Sequence, residues 1–160
     1  ARTLPRSARH SPPDEVAFQA AALMRDQLVA SRVSFCMETV FSDPVGDKLA
    51  FFRRAQSAGY FVAMIFVGLA SAELSARRVA QRVVDGGHDV PADRLRERYP
   101  RVLSNLREAL RQLDLVVVLD NSEVVEVYRE IAVYERGRAT WVAKDVPGWF
   151  KGCSPRRSLT

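Results

Sequence analysis

Two runs in this chain are apolar at almost every position, Tyr60 to Leu69 and Leu115 to Leu119. A strand with one wet face alternates apolar and polar residues. A run that does not alternate is apolar on both faces and suits a parallel sheet covered on both sides. The segments around these runs carry helical patterns instead. One spans about Asp14 to Ala30, with Val16, Ala20, Leu23 and Leu28 inward. Ser11-Pro-Pro-Asp14 opens it with a hydroxyl cap, proline in the first turn and an acid three residues on. A second begins at Asp47 and ends with Gly59 as its C-cap. A third runs from Ser71 to Gly86, and a fourth from Pro91 to about Gln112. Val33 to Glu38 is a shorter apolar run that reads as a buried strand. Strands alternating with helices predict an α/β layer fold with a mainly parallel sheet.

The ends of the chain differ from its middle. Ala1 to Pro13 is basic and proline-bearing, without periodicity, and reads as a flexible leader (residues 1–13). The α/β part spans 14–122, with a helical lid over 72–112. Val124 to Glu135 and Arg138 to Ala143 alternate around Arg136-Gly137, which predicts an antiparallel hairpin within 123–146. The tail, 147–160, is basic and reads as loose. No internal repeat is present.

Length and charge narrow the possible partners. One hundred and sixty residues suit one domain with a sizeable core. The longest apolar run, Tyr60 to Ala70, is far short of the ~20 residues that cross a bilayer, so no membrane partner is expected. Cys36 and Cys153 form no metal or redox spacing, and the only histidines are His10 and His88, so no metal site is expected. A cytoplasmic setting is the default. The net charge of +5 comes mostly from arginine, whose planar fork matches phosphate geometry.

Ligands of parallel sheets sit at the carboxyl ends of the strands. Here those ends carry Glu38-Thr39, Leu69-Ala70-Ser71 and Asp120-Asn121-Ser122. Glu38 can accept hydrogen bonds from a sugar hydroxyl or help place a metal ion, or it is a surface or capping glutamate. Asp120 and Asn121 can line a nucleotide base, or simply make a turn. The lid carries Arg78 and Arg82 on one helix face and Arg94, Arg98 and Arg101 as a second stripe. Gly86-Gly87 lets the chain reverse between them. Such a unit can close over a polyphosphate. It can equally be a solvated basic face neutralised by Asp85, Asp89, Asp93 and Glu97. His88 reads as a shaper of the lid loop. Nucleic acid is the weakest alternative, because acids interleave the stripes and no aromatic platform accompanies them.

Several stretches, in order, resemble the zeta-toxin-like P-loop kinases, in the branch described as predicted ABC-type ATPases. They are Ser34-Phe-Cys-Met-Glu38-Thr39, Ala58-Gly59-Tyr60, Arg78-Val-x-x-Arg82-Val-x-x-Gly86-Gly87-His88-x-Val90-Pro91, Arg98-Tyr99, Asn105-Leu106 and Asp120-Asn121-Ser122. The glycine pair and proline flanked by arginines is the specific part. The resemblance implies a P-loop NTPase-like fold, binding of ATP or GTP with Mg2+, and phosphoryl transfer to a small hydroxylated acceptor. In zeta toxins that acceptor is UDP-N-acetylglucosamine, and an antitoxin blocks the nucleotide site. Carried over, Glu38 and Thr39 fall on the acceptor motif. Arg82 and Arg98 match the catalytic lid arginines, and Arg78, Asp120 and Asn121 match the nucleotide side. Phe41 stands where the acceptor motif has an arginine, which puts a sugar nucleotide in doubt.

These residues contain no Gly-x-x-x-x-Gly-Lys-Ser/Thr; Gly46-Asp47-Lys48 lacks the upstream glycine and the following hydroxyl. By the resemblance, the first β-α-β unit, with its phosphate cradle and catalytic acid, is missing. The chain as given is then expected to be inactive, a non-catalytic binding module for a nucleotide or an acidic protein, or self-associating through an exposed sheet edge.

Overall fold

The computed structural model describes residues 13–87 and 89–154, and side chains from Glu15 onward. The leader through Pro12, with His10 and the Ser11 cap, lies outside them, as does His88. The chain divides into two compact units, residues 1–39 and 40–160.

The described part of the first unit is α1 (Pro13–Ala30) and the segment after it. Val16, Ala20, Leu23 and Leu28 are half-buried along one stripe, as their spacing predicts, while Phe18 and Met24 are exposed. Val33 to Glu38 does not form the expected strand. A β-ladder needs a partner's backbone, and no described strand pairs with this run.

The second unit contains α2 (Asp47–Ser57), β1 (Ala63–Gly68), α3 (Ala72–Val84), α4 (Ala92–Gln112), β2 (Leu115–Asp120), β3 (Arg129–Glu135), β4 (Arg138–Val142) and α5 (Gly148–Lys151). The sheet order is β1-β2-β3-β4. β1 and β2 are parallel, with Ile65 opposite Val117, and the hairpin adds two antiparallel strands to the same sheet. The fold is thus α/β with a mixed sheet flanked by helices. The hairpin reverses at Arg136 and Gly137, whose φ angles of 45° and 82° fit a type I′ turn. Its first strand starts at Arg129 rather than Val124, and Val124 and Val125 are exposed.

Two elements differ from expectation in packing. Among the described strands β1 lies at the edge, with Phe66 buried but Ile65 71% and Val67 45% exposed. Its second apolar face is therefore open. Residues 148–154 are docked rather than loose: Trp149, Phe150 and Cys153 are buried, and the Tyr134 and Ser154 hydroxyls bond at 2.8 Å.

The core joins Phe66, Val116, Val118 and Tyr134 of the sheet with Leu106, Ala109 and Leu110 of α4. Phe41, Phe51 and Phe52 stack beside α4. Asp114 ties the base of the sheet together, accepting from the Val62 backbone N–H at 2.9 Å and from Gln56 at 3.0 Å.

Candidate functional site

The parallel pair ends at Gly68 and Asp120, where Asn121 donates its backbone N–H to the Gly68 carbonyl at 2.9 Å. This joins the two strand ends into one floor. Trp149 lies directly against Gly68: a Cβ there would come within 2.1 Å of the indole ring. Glycine is required here by space. The same indole donates its N–H to Asp120 at 3.1 Å. Ser122 donates to that carboxylate at 2.5 Å, and Arg129 lies 3.7 Å from its other oxygen. A buried carboxylate needs such partners, and these hold Asp120 toward the interior. Asn121 differs: its side-chain oxygen is buried with no hydrogen-bond partner among the described residues.

The helical pair expected to act as a lid begins immediately after β1. Ser71 caps α3, accepting from the Leu74 N–H at 3.2 Å. Glu73 has its pKa lowered by its own backbone N–H and by Ser71, with smaller help from Arg96 and Arg77. Arg96 reaches from α4 to Glu73 at 3.9 Å, linking the two lid helices. Between them Gly86 has a φ of 88°, and Gly87 donates its N–H to the Arg82 carbonyl at 2.8 Å. The sharp reversal expected from the glycine pair is therefore present.

The second lid helix touches the floor through Tyr99, whose hydroxyl donates to the Leu69 carbonyl at 2.8 Å. Burial raises the pKa of this phenol, and Cys153 and the Asp120 charge add to the shift. Beside Tyr99, a cleft of about 170 Å³ opens between the end of β1 and α4. Arg98 is the one charged residue among the described residues lining it.

The arginines divide by partner. Arg101 pairs with Glu97 at 3.3 Å, Arg96 with Asp93 at 2.9 Å and Arg111 with Glu108 at 2.8 Å. Arg78, Arg82, Arg94 and Arg98 have no ion pair among the described residues. The solvated-face reading thus suits Arg96 and Arg101 but leaves four cations unneutralised. Arg98 is half-buried at the cleft, Arg78 is half-buried on α3, and Arg82 is exposed near the hinge and does not line the cleft. Glu38, exposed, and Thr39 close the first unit. In the second, Asn105 donates to the Phe41 and Asp43 carbonyls at 3.0 and 3.1 Å, anchoring the loop before α2.

Nucleotide phosphates suit the unpaired arginines. The start of α2 does not suit them: the Asp47 N–H is already taken by the Asp43 carboxylate at 2.6 Å, and both residues are acidic. Among the described residues no three His, Cys, Asp or Glu side chains gather to hold Mg2+. Trp149 was not legible as a site residue. Its one signal is the apolar pair Trp149-Phe150 after Pro147 in an otherwise basic tail.

A mixed α/β sheet with an arginine-bearing helical hairpin after its first parallel strand fits a P-loop-like fold. The family model described as Zeta toxin matches residues 13–132, and the chain belongs to that family. No curated protein and no solved structure matches it. Among the described residues, no helix is long and apolar enough to cross a membrane.

Proposed function

We propose that these residues form the lid and acceptor side of an ATP-dependent phosphotransferase that acts on a small hydroxylated acceptor. Arg98 carries this reading, as an unpaired, half-buried cation in a cleft at the end of a parallel strand. Such a cation stabilises charge on a phosphoryl group in transfer. Arg82 and Arg78 supply further positive charge from α3, and Asn121 offers its unpaired oxygen at the floor. The family motif suggests an acceptor role for Glu38 and Thr39, but neither lines the cleft beside Arg98. No Walker A signature lies within these 160 residues, so this reading assigns none of them to a phosphate cradle.

The test is phosphoryl transfer from Mg-ATP by the full encoded protein. Arg98→Ala and Arg82→Ala are expected to slow turnover by about a hundredfold or more while changing ATP affinity little, because the lid acts on the transition state. Equal losses in both quantities would contradict this assignment. Titration of the 160-residue chain alone with Mg-ATP is expected to give no binding heat.

The open edge of β1 favours a second reading, a non-catalytic module that self-associates. The strand Ala-Met-Ile-Phe-Val-Gly carries no charge or proline to block pairing. Light scattering that shows a monomer at high concentration would dismiss it.

A further inference from the structure

The cleft beside Arg98 is apolar, and this bears on the acceptor. One wall is Phe66 and Leu69 of the β1 end; the other is Leu95, Val102 and Leu103 of α4. The polar groups are few. The Tyr99 hydroxyl is already committed to the Leu69 carbonyl. That leaves the Arg98 guanidinium and the Ser75 hydroxyl, neither of which has a side-chain partner among the described residues. The volume, about 170 Å³, is close to the ~150 Å³ cavity that accommodates one benzene ring.

A hexose would bring several hydroxyls into this space and find two groups to bond them. The rest would be desolvated without partners. A ring or short branched chain bearing a single hydroxyl matches the lining, with Ser75 available to orient the hydroxyl. We infer that the cleft is the acceptor pocket and that its acceptor is a small, apolar-bodied alcohol, whose phosphomonoester product is held by Arg98. This inference rests on the phosphotransferase reading. In the step, the acceptor oxygen bonds the γ-phosphorus of the nucleoside triphosphate. The bond from that phosphorus to the β,γ-bridging oxygen breaks, and its electron pair leaves with the nucleoside diphosphate. The hydroxyl proton passes to solvent.

Isothermal titration of the full encoded protein with phenyl phosphate, glucose 1-phosphate and inorganic phosphate tests the pocket without requiring turnover. Phenyl phosphate is expected to bind at least about tenfold more tightly than the other two, from burial of its ring. Arg98→Ala should weaken all three. Leu103→Gln should erase the preference while leaving inorganic phosphate unchanged, and the milder Val102→Thr, nearly isosteric, should reduce it in a protein that keeps its helical circular dichroism. Equal binding of glucose 1-phosphate and phenyl phosphate, no binding of phenyl phosphate, or a preference unaffected by both variants would overturn the inference. Benzyl alcohol and Mg-ATP separate the two claims. Phenyl phosphate preference with no phosphoryl transfer from Mg-ATP to either benzyl alcohol or a sugar would leave an aryl-anion pocket and overturn both the acceptor assignment and the phosphotransferase reading. Transfer to a sugar acceptor instead would overturn the inference alone.

Discussion

Trp149→Ala removes the side chain on which the two strand ends rest. Trp149 is 9% exposed, with its ring 6.1 Å from Phe66 and 5.7 Å from Phe150 between centroids. Truncating a buried aromatic of this size to alanine costs about 3–5 kcal/mol. The buried Asp120 carboxylate also loses its indole donor, worth about 1.5–3 kcal/mol for a bond to a charged group. Ser122 and Arg129 remain to hold that carboxylate, so the smaller figure applies. The sum, about 4.5–6.5 kcal/mol, is a large share of the ~5–15 kcal/mol that stabilises a typical domain. Trp149→Phe keeps most of the ring and isolates the N–H, and is expected to cost about 1–3 kcal/mol. Urea unfolding followed by far-ultraviolet circular dichroism measures both variants without relying on tryptophan emission. Combining Trp149→Phe with Asp120→Asn should show a coupling of about 1 kcal/mol, because the two residues share one bond. If Trp149→Ala costs less than about 1 kcal/mol, the segment after Pro147 does not support the floor and the docking argument fails.

Three other outcomes follow from particular contacts. Asn105→Ala frees two carbonyls of the loop before α2 and should cost about 1–3 kcal/mol in urea unfolding, with faster proteolysis between Phe41 and Gly46. Gly86→Ala meets open space but must hold a φ of 88°, so its cost should be about 1–2 kcal/mol. Gly68→Ala, at an ordinary φ, should cost more because it collides with the Trp149 ring; equal costs for the two would refute the packing shown at Gly68. Burial raises the pKa of Cys153 above 9.0 and that of Tyr99 above 10.0, so the folded state favours their protonated forms. Their contribution is fully present below the unfolded values and is lost as pH rises through the folded ones. Stability should therefore fall from about pH 9 upward, and Cys153→Ala with Tyr99→Phe should flatten that decline in alkaline melting curves.

Local signals identified much of the architecture. The apolar runs became β1 and β2, the hydroxyl of Ser71 caps α3, and the glycine pair reverses the lid. Arg136-Gly137 makes the hairpin turn because its positive φ angles match the twist of the strands it joins. The lid arginines were visible as a stripe, but which of them are neutralised was not. Arg101 faces Glu97 one turn away, whereas Arg98 turns toward the β1 end and meets no acid among the described residues. The spacing of Arg101 and Arg98 from Glu97 does not tell these two surroundings apart.

Where periodicity in neighbouring residues sufficed, the sequence alone determined the element type, as in the four helices, β1, β2 and the Arg136-Gly137 turn. Pairing and depth depend on residues far apart in the chain, and the tertiary structure decided them. β1 has the composition of a central strand yet lies at the edge of the described strands, because a strand's own residues do not state how many neighbours it has. Val33 to Glu38 has strand-like residues but no ladder partner among the described strands. Trp149 packs against Gly68 and bonds Asp120 across long stretches of chain, and no local pattern in the tail encodes that approach. The joined strand ends are a product of packing, and the arginine-bearing helical pair beside them is a product of sequence.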